Sequence, residues 1–224
     1  MRVFLAVLTL ALVGLLPAPL RAEPLWQADF NQQSGSASAW IKSNGFDLQR
    51  DADEIQTEFK EGQLVFSTKG PTLGLFSKEL NLKNAQKIRI KWGVNQFPKG
   101  ADWEKGVLRE AVSVVFSFGD KKIDSGSFAI PNVPYFISFF LGEKEQENKA
   151  YVGNYYKKGG RYFCLPCAPK LNQLVVTEVP IADLFKKEFG QAQVPPITGI
   201  AIEIDTRDTQ GTAQAFIQSI EVLP

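Results

Sequence analysis

The chain is built on a period of two. In "KIRIKWGV" Ile88, Ile90, Trp92 and Val94 fall on one side, with Lys87, Arg89, Lys91 and Gly93 on the other. "AVSVVFSFG" sets Val112, Val114, Phe116 and Phe118 against Ser113, Val115 and Ser117, and "GIAIEID" repeats the pattern with Ile200, Ile202 and Ile204. Such alternation predicts half-buried antiparallel strands, apolar inward and polar outward. Further strands are expected at "LWQADF", "WIKSNGF", "EIQTEF", "QLVFST", "LGLFSKEL", "PYFISFFLG", "KAYVGNYY", "QLVVTEV" and the closing "AQAFIQSIEVL". Gly, Pro, Asn and Asp turns separate them, giving about a dozen strands, the pattern of a sandwich or jelly roll. One stretch has a helical period: "PIADLFKKEFG" spaces Ile181, Leu184, Phe185 and Phe189 for one helix face, between Pro180 and Gly190 as start and stop signals. "NQQSGSAS" reads as an early polar loop and "FPKGADWEKGVLRE" as a long one. The expected fold is all-β, a jelly-roll-like sandwich of two antiparallel sheets with one short amphipathic helix at about residues 181–189.

The first 22 residues change the compartment rather than the fold. Arg2 precedes an apolar run over residues 3–16, and a Pro-containing stretch ends at Ala22. That run is shorter than the ~20 residues of a spanning helix, so residues 1–22 read as a Sec-type signal peptide cut between Ala22 and Glu23. Residues 23–224 then form a single β-sandwich domain, periplasmic or extracellular, with no integral membrane segment left after cleavage. The whole chain carries 25 Lys and Arg against 24 Asp and Glu, a formal charge of +1, which becomes −1 when Arg2 and Arg21 leave with the leader. A nucleic-acid partner needs a basic excess that this balance lacks. Histidine is absent altogether. That removes His-activated nucleophiles, His-bearing zinc sites and the usual proton shuttle near neutral pH.

The remaining chemistry sits in a few places. "IEIDTRDTQGT" ends a strand on an acidic tip, where Asp205 and Asp208, with the hydroxyls of Thr206 and Thr209, are candidate calcium ligands. Glu203, on the face opposite Ile202 and Ile204, approaches from the side. The same residues also suit a polar turn in which Asp side chains bond nearby amides and Gly211 supplies a positive φ. No other cofactor is expected. The only two cysteines, Cys164 and Cys167, lie in "YFCLPCAP". Zinc would need two more such ligands, and no helix follows as a redox motif requires. A local disulfide is the expected state in an oxidising compartment. Trp103, in the polar "KGADWEKG", has no periodic reason for burial. Tyr151, Tyr155, Tyr156, Tyr162 and Phe163 lie beside Lys157, Lys158 and Arg161. Exposed rings beside hydrogen-bond donors suit stacking on sugar faces, although packing over the sandwich ends would also place them there. No motif marks a pair of catalytic carboxylates among the acids.

The order of Trp40, "IRIKWGV", a polar loop, "VSVVFSF" and "ITGIAIEIDTRDTQGTAQAFIQSIEV" resembles a family of secreted bacterial β-sandwich proteins known only as a domain of unknown function. Residues 199–220 are also similar to the last two strands of jelly-roll carbohydrate-binding modules. The family pattern carries adjacent acids where this chain has Glu110 alone, and a Trp near Tyr151. The resemblance implies fold and compartment. With the aromatics, it points to a secreted or periplasmic non-catalytic binding protein, with a glycan or polysaccharide as the leading ligand. The alternatives are a carboxylate-based polysaccharide hydrolase or lyase, and a structural or assembly partner of the cell envelope.

Overall fold

In the computed structural model, residues 22–224 are described, so the expected leader lies outside the described residues but for Ala22. Twelve strands form two six-stranded sheets. In chain order they are β1 (Trp26–Asp29), β2 (Asp47–Arg50), β3 (Gln56–Lys60), β4 (Gln63–Lys69), β5 (Leu73–Leu82) and β6 (Lys87–Gln96). There follow β7 (Glu110–Ile123), β8 (Val133–Gly142), β9 (Gly160–Cys167), β10 (Val175–Val179), β11 (Ile197–Asp205) and β12 (Thr212–Leu223). The first sheet runs β10-β6-β12-β4-β3, with β1 sharing β12's other side beyond β4. The second runs β2-β5-β11-β7-β8-β9.

The alternation read from the sequence sets the inward faces. Ile88, Ile90, Trp92 and Val94 of β6 face Val112, Val114, Phe116 and Phe118 of β7 across one continuous core, joined by Ile200, Ile202 and Ile204. Trp92 is fully buried, and its indole N–H donates to Thr177 Oγ1 at 2.9 Å. A ring this size removed from such a core costs about 3–5 kcal/mol as alanine.

The expected helix forms as α2 (Ile181–Phe189), stopped by Gly190 at φ 64°. Phe185 packs on Phe118, with centroids 4.6 Å apart, and so plugs one end of the sandwich. Three features differ from expectation. A second helix, α1 (Ala37–Ser43), occupies ground read as loop and strand; Ser36 Oγ caps it by accepting from Ala39 N–H, and Ile41 is its buried anchor. "KAYVGNYY" makes only an isolated bridge, Tyr151 to Tyr162. The strand lies instead at β9, through the cysteines, and it runs parallel to β8 in an otherwise antiparallel pair of sheets. Among the described residues no helix is long and apolar enough to cross a membrane.

Candidate functional site

The inward isoleucines of β11 force Ala201, Glu203 and Asp205 onto the outer face of the second sheet, because successive side chains alternate. Strand register then builds a row across four strands: Glu203 pairs with Ser113, Ser113 with Phe140 and Phe140 with Cys164. The next row is Ala201, Val115, Ser138 and Tyr162. Glu110 joins them through a bulge. Glu203 lies opposite Ser113 and Asp205 opposite Glu110, so β7 holds one residue more than β11 over this step. Simple alternation would aim Glu110 inward with Val112 and Val114; the extra residue turns it outward, as bulges do beside functional sites.

Two loops fold back over this face, one between β6 and β7 and one between β8 and β9. In the first, a single 3₁₀ turn, Trp103–Lys105, is capped by the Asp102 side chain, and Trp103 N–H donates to Glu145 Oε1 of the second at 3.0 Å. Trp103 lies flat on Phe140, with centroids 4.7 Å apart and planes 22° apart, and also touches Tyr162 and Tyr151. Beneath and beside it are four buried polar atoms with no hydrogen-bond partner: Trp103 Nε1, Glu110 Oε2, Ser113 Oγ and Ser138 Oγ. The indole N–H of Trp103 approaches the Glu110 carboxyl and favours its charged form. Such unpartnered groups are rare in folded proteins, and each calls for an explanation.

The carboxylates here titrate abnormally. Burial, followed by the charges of Glu203 and Asp205, pushes Glu110 well above the usual carboxylate range. Burial first, and Asp205 second, raises Glu203 to about 7, against the pull of Arg207 and Arg109. Glu203 keeps some accessible surface while lying deep among protein atoms. Neither makes an ion pair among the described residues. Tyr162 is also raised, by burial and then by the charges of Glu203 and Glu110.

The acidic tip is different. Asp205, 4% exposed, accepts from the Arg207 backbone and from its guanidinium at 3.0 and 2.8 Å, with Arg109 Nη1 at 3.3 Å. Asp208 pairs with Arg109. Arginines thus occupy the oxygens of Asp205 and Asp208 that the calcium reading would have offered to a metal. Among the described residues no group of three or more His, Cys, Asp or Glu is placed to hold a metal ion.

The aromatic candidates divide. Trp103 and Tyr151 are 5% and 6% exposed, so neither offers a stacking face, contrary to the expectation for Trp103. The cause is Phe140, an outward ring that needs cover. Tyr151 O–H donates to Glu104 and accepts from Gln146 N–H, and burial lifts it to about 12. Arg161 is turned away to Glu188 at 3.5 Å and over the Phe189 ring. Tyr155 is exposed, and Tyr156 and Tyr162 are partly so. Tyr156 lies within electrostatic reach of Glu203, so Tyr156 and Tyr162 border the carboxylate face. Cys164 and Cys167 form the expected disulfide. The sequence reading missed Glu110, Ser113 and Ser138. A lone hydroxyl inside the apolar "YFISFFLG" was the available signal for Ser138.

An open depression of 630 Å³ follows residues 124–132, but Asp124 is its only carboxylate and it stands apart from Glu110 and Glu203.

A family model described as "Protein of unknown function (DUF3047)" matches residues 51–221. No curated protein sequence matches the chain. Among solved structures, the chain is similar to a mutant of a family 29 carbohydrate-binding module, at 8% identity and TM-score 0.39, over 88% of this chain and 90% of that one. It is also similar to the carbohydrate recognition domain of Emp46p in its potassium-bound form, at 11% identity and TM-score 0.43, over 91% and 98%. The glycoside hydrolase domain of Endo-D from Streptococcus pneumoniae R6 aligns at 11% identity and TM-score 0.35, over 80% of this chain and 21% of that one. Likeness this distant says nothing about ligand or reaction.

Proposed function

The chain belongs to the DUF3047 family, whose function is unknown, and we propose that it is an exported, non-catalytic binding protein for a hydroxyl-rich ligand, with a glycan as the leading class. Export rests on the leader over residues 1–22, which would deliver residues 23–224 to the periplasm or beyond. The observation that carries the binding reading is the convergence of Ser113 and Ser138, their hydroxyls unpartnered among the described residues, with the Trp103 indole and Glu110 beside a half-open Glu203. A sugar hydroxyl both donates and accepts, as do serine hydroxyls and a protonated carboxyl. Glu203 near its titration midpoint at neutral pH can serve either way. Tyr162 and Tyr156 supply ring surface at the border. Each buried polar atom left unpaired costs about 1–3 kcal/mol, which a ligand or solvent reaching it would recover.

The catalytic alternative required two acids facing each other across a groove. Glu110 and Glu203 instead stand side by side on one sheet, and Glu110 is 4% exposed under Trp103. That arrangement favours binding over attack on a bond. Titration calorimetry of residues 22–224, which contain both sheets complete, against neutral and acidic oligosaccharides tests the proposal. Saturable binding by one glycan class, weakened roughly tenfold by Glu203→Ala as a lost charge-assisted hydrogen bond would require, is the expected result. Binding unaltered in both Glu203→Ala and Ser138→Ala would move the ligand off this face. No binding across the panel would remove the glycan reading.

A further inference from the structure

The loop between β7 and β8 carries Phe128, Ala129, Ile130 and Pro131 in succession, and none of the four is buried. Consecutive exposed apolar residues are a fault in a fold unless something outside it uses them. Phe128, at 107% relative exposure, is the most exposed large apolar side chain among the described residues. The loop is firmly organised all the same. Ser125 is buried, with its hydroxyl 2.8 Å from both Ser127 O and Ile130 O, and its N–H donates to Asn132 Oδ1 at 2.9 Å. The neighbouring segment braces it: Tyr156 N–H donates to Ser125 O at 3.0 Å and Tyr156 O–H to Pro131 O at 2.8 Å. Phe128 is thus presented by a held loop.

The same end of the molecule is rich in cations. Lys121 and Lys122 precede the loop, Lys157 and Lys158 follow Tyr155 and Tyr156 on the bracing segment, and all four are exposed. None makes an ion pair among the described residues. Asp120 and Asp124 oppose them, but Asp124 is partly spent in accepting from Gly126 N–H at 2.9 Å.

We propose that this end docks on an anionic lipid surface, with Phe128 and Ile130 entering the interfacial layer and the four lysines facing the headgroups. A protruding ring flanked by long cationic side chains suits a bilayer, which yields around a wedge and attracts the charge. A second copy is disfavoured, because a symmetric contact would set the lysines against one another. The proposal does not depend on the ligand of the carboxylate face.

Flotation of residues 22–224 with vesicles tests it, using phosphatidylcholine alone and an equimolar mixture with phosphatidylglycerol. The protein is expected to float with the mixed vesicles, to stay behind with the neutral ones, and to be released by high salt. Phe128→Ser should weaken binding about tenfold through lost apolar burial, and the pair Lys157→Glu with Lys158→Glu roughly tenfold or more. Neither change touches the core, so both variants should keep the parent melting temperature. Phe128→Trp adds a reporter whose emission should shift to the blue on the mixed vesicles. The proposal is overturned by equal binding to neutral vesicles, by no binding to either, or by a Phe128→Ser variant that binds as the parent does.

Discussion

At the end of β11, Asp205 is gripped by Arg207 at 2.8 Å and Arg109 at 3.3 Å, while Glu203, two residues back on the same face, has no cation at ion-pair distance among the described residues. The first acid is neutralised within its own loop cluster. The second sits in an apolar and aromatic surround, beside another unpaired acid, with its titration lifted to about 7. Dense charge in a sequence often marks self-compensation, as at the Asp205 and Asp208 tip. An isolated acid in an apolar strand marks a group left for something else.

Removing each acid gives the largest separation between the two. Asp205→Ala takes the buried carboxylate from both Arg109 and Arg207, leaving Arg109 only the exposed Asp208, and should cost about 3 kcal/mol, as breaking a buried pair does. Glu203→Ala removes an unpaired acid and should be neutral or stabilising. Urea midpoints at unchanged m-value measure both. Equal losses would show that Glu203 is as much a part of the fold as Asp205, and the contrast would fail.

Much of this contrast was legible in the chain. Alternation alone placed Ile200, Ile202 and Ile204 inward and Glu203 outward, and the helical period of residues 181–189 returned as α2. Trp92 followed the same rule into the core. What stayed hidden depends on contacts between distant segments. The bulge that turns Glu110 exists only where β7 meets β11. Trp103 is buried because Phe140 projects outward from β8, in a run whose apolar residues give no sign of which face each takes. The Arg109 clamp on Asp205 and Asp208 joins residues about a hundred positions apart, beyond any local pattern. Helix α1 is seven residues long, too short for its period to outweigh the serines around it.

The second test uses pH. Glu203 keeps its proton in the folded chain to about 7, whereas the unfolded carboxyl releases it near 4.5. Between those values the folded state binds more protons at Glu203, so stability should fall as pH rises from about 4.5 to 7, and Glu110, raised well above the usual carboxylate range, adds a fall of the same sign. The fall assigned to Glu203 should be of the order of 3 kcal/mol. Glu203→Gln, neutral throughout, should remove that share of the fall and leave the shallower slope due to Glu110. A parent curve that rises over this range, or a Gln variant that matches the parent, would mean that Glu203 is charged in the fold.

The smallest expected effect discriminates most sharply. Thr206 and Ser138 are both fully buried hydroxyl residues. Thr206 Oγ1 accepts from Thr72 N–H and donates to Gly70 O, each at 3.1 Å, whereas Ser138 Oγ has no partner. Thr206→Val should therefore cost about 1–2 kcal/mol, since it leaves buried backbone groups unpaired. Ser138→Ala should leave stability unchanged or raise it by up to about 1 kcal/mol, because it removes a polar atom that gets nothing back for its lost solvation, less the packing its oxygen supplies. Thermal or urea unfolding resolves the difference. If Ser138→Ala costs as much as Thr206→Val, the hydroxyl serves the fold and the outer face loses one of the groups that mark it. If it costs nothing yet weakens ligand binding, the serine is held in place for a partner the fold does not contain.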